Sequence, residues 1–175
     1  MNFNKVIEFP INNHYSGIKL REAVRGIIIS NNRILLVHSN RGDYKFPGGG
    51  VEENESHSAA LVREIREETG YSNCIVKEKV GMVIERNMDD YENNKLFQMT
   101  SHYYLCELTT REKMTQQLDE YESILDFKPR WVSLEEALRQ NESLLSQVEK
   151  ISWLKRETFV LNELNNTRNI GISNE

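Results

Sequence analysis

Three acidic side chains, Glu64, Glu67 and Glu68, stand close together in the sequence after the Pro-Gly-Gly-Gly turn of residues 47–50. Spacings of three and four residues place side chains on one face of a helix. Neighbouring carboxylates raise one another's pKa, so they ionise together at low cost only where cations share them. Hard divalent cations such as magnesium prefer oxygen ligands and also bind phosphates. The spacing therefore predicts a metal site for phosphate chemistry.

The element that must hold these carboxylates is a helix, which is predicted over residues 56–69. Side chains that recur every three or four residues share one helix face, so one face is expected to point to the core. Its predicted members are Ser58, Leu61, Val62, Ile65 and Thr69. Gly70 stands where a C-terminal helix cap is expected, because glycine readily adopts a positive φ. One helix can thus anchor itself in a core and present its carboxylates at the edge of a cleft.

Runs of β-branched and aromatic residues predict the strands of a largely buried sheet. The predicted strands cover residues 22–30, 33–38, 44–46, 74–86, 95–108 and 131–132. Asn31 and Asn32 are a turn signal between the first two strands, which are expected to form a hairpin. Residues 47–50 must form a loop, because proline lacks a backbone donor and glycine permits positive φ.

The rest of the chain predicts further helices and irregular ends of one domain, with its core at about residues 18–165. The further elements are a loop with one helical turn over residues 109–128, a helix opened by a capping box over 133–140, and a longer amphipathic helix over 143–164. Residues 1–17 are expected to be irregular or weakly extended, and residues 165–175 to fray. The longer helix is expected to pack either on its own domain or on a second subunit of a homodimer.

The composition narrows the class of partner. The 175 residues include 22 basic and 27 acidic side chains, a formal net charge of −5, which argues against duplex nucleic acid. The first residues lack the apolar run of a signal peptide, and no stretch has the length of a membrane span, so we expect a cytoplasmic protein without a membrane partner. Cys74 and Cys106 are expected to be buried thiols. The four histidines show no spacing typical of zinc ligands, and His102 is expected to be structural.

Residues 49–71 resemble the signature of the Nudix hydrolase family. That signature is a glycine, five residues, a glutamate, seven residues, and then Arg-Glu-aliphatic-x-Glu-Glu-x-Gly-aliphatic. The matching residues are Gly49, Glu55, Arg63, Glu64, Ile65, Glu67, Glu68 and Gly70. Tyr71 departs from the aliphatic last position, which is expected to affect packing rather than chemistry. The Tyr-Lys-Phe-Pro-Gly-Gly sequence of residues 44–49 also resembles the family. The resemblance implies an α/β/α sandwich with a mixed β-sheet.

The resemblance also implies an activity, the hydrolysis of a nucleoside diphosphate linked to another moiety by water attack on phosphorus. Magnesium or manganese ions would be the cofactor, bound by Glu64, Glu67, Glu68 and the backbone carbonyl of Gly48. A further catalytic glutamate is expected from a distal loop. Glu120 is favoured for that role, with Glu112 and Glu122 as alternatives. A non-catalytic nucleotide sensor of the same fold is the alternative function.

Other residues are expected to support this chemistry. Glu55 and Arg63 would brace the loop against the helix, because an arginine beside the ligand face can donate two parallel hydrogen bonds to a carboxylate. The substrate is expected to be a small nucleotide derivative, such as a nucleoside triphosphate, a dinucleoside polyphosphate or a nucleotide sugar. Residues expected to bind it are Arg25, Arg86, Tyr91 and Phe97.

Overall fold

Seven strands form one mixed β-sheet in the computed structural model, which describes residues 2–11, 14–92, 94–147 and 152–172. The strands are β1 Phe3–Glu8, β2 Gly17–Ser30, β3 Arg33–His38, β4 Tyr44–Lys45, β5 Cys74–Met88, β6 Lys95–Leu108 and β7 Lys128–Val132. Their order is β1-β5-β6-β2-β3-β4, and β7 pairs with β3. β1 is parallel to β5 and β2 is parallel to β6, whereas the other strand pairs are antiparallel.

The predicted hairpin is confirmed at β2 and β3. Asn31 and Asn32 form its turn with φ values of 49° and 64°, a left-handed conformation that asparagine tolerates. Two consecutive positive φ angles match the right-handed twist of the strands that they join. Ile29 and Ile34 are paired across the hairpin, so the turn fixes the register of β2 against β3.

The described helices cover both faces of this sheet. They are α1 His57–Thr69, α2 Glu120–Ile124, α3 Leu134–Leu145 and α4 Ser152–Ile172. Successive residues of a strand point to opposite faces, so Ile28 packs with α1 while its neighbour Ile27 packs with α3 and α4. The result is the α/β/α sandwich with a mixed sheet that the family resemblance implied. No helix in the described ranges is long and apolar enough to cross a membrane.

Helix α1 closely follows its predicted bounds because its ends carry strong signals. Ser56 caps the N-terminus, and Gly70, with φ of 79°, caps the C-terminus. The buried members of the predicted core face are Leu61, Ile65 and Thr69. Val62 is half-buried, whereas Ser58 is exposed and Ala60 is buried in its place. The first turn of α1 therefore meets the sheet along a slightly rotated face.

Residues 3–8, expected to be irregular or weakly extended, form strand β1, which pairs with β5. Phe3 anchors this strand, with its ring 5.5 Å from that of Tyr103 and 5.9 Å from that of Phe159. A Cβ atom at Gly81 would lie 2.5 Å from the Phe3 ring, so a glycine opposite the aromatic makes the contact possible. These partners lie far away in the sequence, and the local pattern of residues 1–17 does not reveal them.

The predicted helix over residues 143–164 was wrong in both of its bounds. Helix α3 continues to Leu145 and is capped by Ser146, and α4 extends over Ser152–Ile172 through most of the segment expected to fray. Two apolar residues of the predicted face, Val148 and Ile151, lie outside the described residues, as do residues 173–175. Leu154, Leu161 and Leu164 of α4 are buried within their own chain, so this helix packs on its own domain.

Candidate active site and metal centre

Three carboxylates come together where α1 meets α2. One oxygen each of Glu64, Glu68 and Glu122 lies within 4.8 Å of the others. Glu64 and Glu68 are one turn apart on α1 and only 8% and 3% exposed, and Glu122 lies on α2. Carboxylate oxygens at this spacing form the donor set that hard divalent cations prefer. The arrangement therefore fits a magnesium-type ion.

The electrostatics of the cluster also fit a cation. Burial raises the pKa of Glu68 to about 8, against the opposing charges of Lys45 and Arg25. Burial likewise raises the pKa of Glu64 and that of Glu122. Each carboxylate is thus held where its ionised form is costly without a positive partner. A divalent cation would relieve that cost.

The glycine turn lies directly against these carboxylates. The Gly48 N–H donates a hydrogen bond of 2.7 Å to Glu68 Oε2. Gly48 has φ of +138°, and a Cβ atom there would lie 2.0 Å from the Val24 carbonyl oxygen. A Cβ atom at Gly49 would lie 2.5 Å from the carboxylate of Glu64. Glycine is therefore required at both positions for the backbone to approach the acidic cluster.

The Gly48 carbonyl, predicted as a metal ligand, accepts a hydrogen bond from Arg25 Nη1 in this structure. A carbonyl oxygen has two lone pairs, so this bond leaves one for a cation. Arg25 itself is buried, and its Nε has no hydrogen-bond partner among the described residues. The guanidinium thus holds the loop through the Gly48 carbonyl.

Arg63 joins the loop to the helix through several hydrogen bonds. Its Nε and Nη2 each lie 2.9 Å from an oxygen of Glu55, the paired geometry expected from the sequence. Nη2 also donates to the Gly50 carbonyl at 3.0 Å, and Nη1 to Glu64 Oε1 at 2.7 Å. Glu67 Oε2 lies 3.3 Å from the same Nη1. Arg63 therefore orients Glu64 and fixes the distance between the glycine turn and α1.

Two clefts meet at this cluster. The smaller has a volume of about 410 Å³ and is lined by Glu64 and Glu67. The larger has a volume of about 640 Å³ and is lined by Glu68 on the side of the glycine turn. Glu122 and Arg21 line both clefts. Glu122 therefore stands at the junction between the two spaces.

Of the three glutamates expected on the distal segment, the structure brings Glu122 to the acidic cluster. Glu120, which the sequence favoured, is exposed at the start of α2, and Glu112 is exposed in the preceding loop. Asp119 caps α2, and its backbone N–H donates to Glu122 Oε2 at 3.0 Å. This capping box turns the Glu122 side chain back toward Asp119, where both clefts begin. The positions of Glu120 and Glu122 in the helix could not be ranked without the cap.

The predicted substrate residues divide between the cleft and the opposite face of the sheet. Arg25, Tyr91 and Phe97 line the larger cleft, and Tyr91 is 93% exposed at its mouth. Arg86 lies between two strand residues that line the cleft and points the other way, because side chains alternate along a strand. It donates hydrogen bonds to Glu8 of β1 at 2.9 Å and to Gln98 of β6 at 2.8 Å. Arg86 therefore links β5 to both of its neighbouring strands.

Lys45 is a cleft residue that the sequence analysis missed. Its side chain is buried, with Nζ 4.6 Å from the centroid of the Phe127 ring and 5.3 Å from that of Trp153. Burial lowers the pKa of Lys45, although the charge of Glu68 opposes this effect. The signal was a lysine placed between two large aromatics, Tyr44 and Phe46, in a short buried strand. Lysine is rarely buried without a partner or a function.

Helices α3 and α4 hold the strand that precedes the glycine turn. Asn141 accepts from the Tyr44 N–H and donates to the Tyr44 carbonyl, both at 2.9 Å. Glu157 Oε2 accepts from the Phe46 N–H at 3.0 Å. The Glu157 carboxylate is itself paired with the fully buried Arg156 at 2.6 Å. Both helices thereby support the backbone immediately before Gly48.

Comparison with known proteins agrees with this geometry. The family model for the NUDIX domain matches residues 19–154. The chain is 48% identical over 52 residues to an ADP-ribose pyrophosphatase of Methanocaldococcus jannaschii, covering 27% of this chain and 31% of that protein. It is 31% identical over 113 residues to diphosphoinositol polyphosphate phosphohydrolase 3-alpha of Mus musculus, covering 61% of this chain and 58% of that protein.

The chain thus spans less than two thirds of the length of these two curated relatives. A solved NUDIX hydrolase from Nitrosomonas europaea has the same fold, with a TM-score of 0.51 at 22% identity over 71% of this chain and 79% of that one. The family match covers more than half of the chain and includes the glycine turn and the acidic helix. This chain therefore belongs to the NUDIX domain family.

Proposed function

We propose that this chain is a hydrolase that depends on a divalent cation and breaks a phosphoanhydride bond. The substrate class is a nucleoside diphosphate linked to another moiety, such as a nucleoside triphosphate, and water attacks phosphorus. The observation that carries the proposal is the buried carboxylate cluster of Glu64, Glu68 and Glu122 at the junction of two clefts. Carboxylates held together in this way can bind a divalent cation, and such a cation can neutralise the phosphate oxygens during the reaction.

Glu64, Glu68 and the Gly48 carbonyl would hold magnesium or manganese, with Glu67 completing the set from the smaller cleft. Such an ion lowers the pKa of a bound water and neutralises phosphate oxygens. Glu122 faces α1 from a separate element, so we assign it the role of accepting the proton of the attacking water. Arg63 and Glu55 would keep Glu64 in position.

The larger cleft supplies the groups that a diphosphate ester needs. Arg25 and Lys45 present positive charge beside Glu68, where phosphate oxygens would lie. Tyr91 and Phe97 line the same space and could stack on a nucleobase. This distribution supports a substrate with an anionic centre and a flat apolar end.

The two curated relatives support the reaction more than the substrate. One relative is named as an ADP-ribose pyrophosphatase and another as a diphosphoinositol polyphosphate phosphohydrolase. Both names describe compounds with linked phosphates, but the rest of the molecule differs. Turnover across a panel of substrates would identify the moiety beyond the diphosphate.

Removal of divalent ions is expected to abolish activity. The purified chain would be treated with EDTA, and the products of phosphoanhydride cleavage (nucleoside monophosphate, sugar phosphate, pyrophosphate and phosphate) would be measured across a panel of nucleotides. Because a divalent cation would neutralise phosphate oxygens and lower the pKa of a bound water, magnesium or manganese is expected to restore release. Turnover that survives thorough chelation would contradict the metal role. Binding of nucleotides without turnover under all conditions would favour the sensor alternative.

A matched pair of variants on α2 tests the assignment of the proton acceptor. Glu122→Gln is expected to reduce kcat by about 10²-fold, the usual loss when a positioned acid–base group is removed. Glu120→Gln changes an exposed carboxylate two residues away and is expected to retain most of the activity. Initial rates at saturating magnesium would be compared for both. A greater loss in the Glu120 variant would reverse the assignment.

A further inference from the structure

A second group of metal-ligating side chains lies at the opposite end of α1 from the acidic cluster. His57 is the first residue of α1, Glu22 lies on β2 and His102 lies on β6. One donor atom from each lies within 4.8 Å of the others. His57 and Glu64 are seven residues apart on the same helix, about 10 Å along its axis at 1.5 Å per residue. The two groups are therefore separate.

His102 has nitrogen atoms that no protein group satisfies. The residue is 8% exposed, and within the described part of the chain neither ring nitrogen has a hydrogen-bond partner. The nearest anionic atom is Glu22 Oε1, 3.8 Å from Nε2, which is too long for a hydrogen bond. A buried donor or acceptor without a partner costs free energy, so a bound ligand at Nε2 would stabilise this arrangement.

The other two side chains are already turned toward the same space. Glu22 Oε2 lies 3.1 Å from His57 Nε2, so the carboxylate presents one oxygen to each histidine. His57 Nδ1 lies 2.8 Å from the hydroxyl oxygen of Tyr104. Histidines that bind metals commonly use one ring nitrogen for the ion and hydrogen-bond the other to a fixed partner. Tyr104 supplies that partner and orients the His57 ring.

The local charges favour the ligating forms of these groups. Burial lowers the pKa of His102, with a further contribution from the charge of Lys79, which keeps the imidazole neutral. The hydrogen bond with His57 lowers the pKa of Glu22, which keeps the carboxylate ionised. Neutral imidazole and ionised carboxylate are the forms that bind a metal ion.

We propose that Glu22, His57 and His102 bind one divalent transition-metal ion, with zinc as the representative ion. Two imidazoles and a carboxylate favour zinc and its neighbours over magnesium, which prefers oxygen ligands alone. Three protein ligands leave a fourth tetrahedral position for water. The ion would pin the start of α1 to strands β2 and β6. No zinc pattern is visible in the sequence because the two histidines are brought together only by the fold.

Zinc binding to the full chain tests this proposal. After removal of metals, zinc would be titrated against a chromophoric competing chelator in excess magnesium, which keeps the acidic cluster occupied. The wild type is expected to bind one zinc ion tightly. His57→Ala and His102→Ala are each expected to weaken that binding by about 100-fold or more. Losing only a hydrogen-bond partner of a metal ligand costs up to about 100-fold, and the loss of a ligand itself should cost at least as much. His38→Ala, at a histidine on β3 outside the group, and Glu68→Gln are expected to bind zinc as the wild type does.

A second measurement guards against unfolding of the His102 variant. His57 is partly exposed at the helix start, so its alanine variant is expected to fold. Zinc is expected to raise the melting temperature of the wild type, because a ligand that binds only the folded state stabilises that state. Zinc is not expected to raise the melting temperature of His57→Ala, which lacks one of the proposed ligands. Equal zinc affinity in the wild type and His57→Ala would overturn the proposal. So would zinc binding that is lost in Glu68→Gln and kept in both histidine variants.

Discussion

Replacing Glu68 with glutamine is expected to reduce turnover by roughly 10²-fold or more, the scale of losing charge stabilisation at a reacting centre. The glutamine carbonyl has the shape needed to accept the hydrogen bond from the Gly48 N–H, so the glycine turn should keep its position. The change removes a negative charge that is 3% exposed and costly without a cation. Rates of pyrophosphate or phosphate release with saturating magnesium would measure the effect.

The matched control for this variant is Glu53→Gln, which removes the same charge from an exposed position in the loop before α1. It is expected to retain near wild-type rates. A thermal melt of each variant would establish that the fold is intact. Near wild-type turnover in Glu68→Gln would count strongly against the acidic cluster as the reaction centre.

Gly48→Ala is expected to have the largest effect on stability, roughly 3 kcal/mol or more of the free energy of unfolding. Its φ of +138° is strained for any residue with a Cβ, and that atom would lie 2.0 Å from the Val24 carbonyl oxygen. Either the turn must leave the acidic cluster or β2 must move, so activity should be lost as well. Urea unfolding followed by circular dichroism would give the free-energy difference.

Gly17→Ala is the control for the glycine substitution, because a Cβ atom there would have no neighbour within 4 Å. It is expected to change the free energy of unfolding by less than about 1 kcal/mol. An unchanged unfolding midpoint in Gly48→Ala would mean that the turn does not require glycine. The close approach of backbone and carboxylates would then need another explanation.

The parts of the fold that could be predicted are those specified by neighbouring residues. Ser56 and Gly70 mark the ends of α1 because caps act within one turn of a helix. Asn31 and Asn32 mark the hairpin because few residues accept positive φ twice in succession. The glycine turn and the spacing of Glu64, Glu67 and Glu68 predicted the acidic side of the site for the same reason.

The parts that could not be predicted depend on partners far away in the sequence. Phe3 of β1 packs against Phe159 of α4, so the position of β1 cannot be predicted before that of α4 is known. Lys45 reads as an ordinary surface lysine until Phe127 and Trp153 surround it. Glu122 differs from Glu120 in that its carboxylate lies beside Glu64 and Glu68 of α1. In each case, the deciding contact is tertiary.

The bond between Glu157 and the Phe46 N–H has a consequence for how the protein matures during translation. The acidic helix leaves the ribosome long before Glu157 has been synthesised, because almost ninety positions separate Glu68 from it. A nascent chain that ends before α4 has the carboxylates but lacks the clamp on the turn that faces them. The turn beside the acidic cluster therefore acquires this support only when α4 docks.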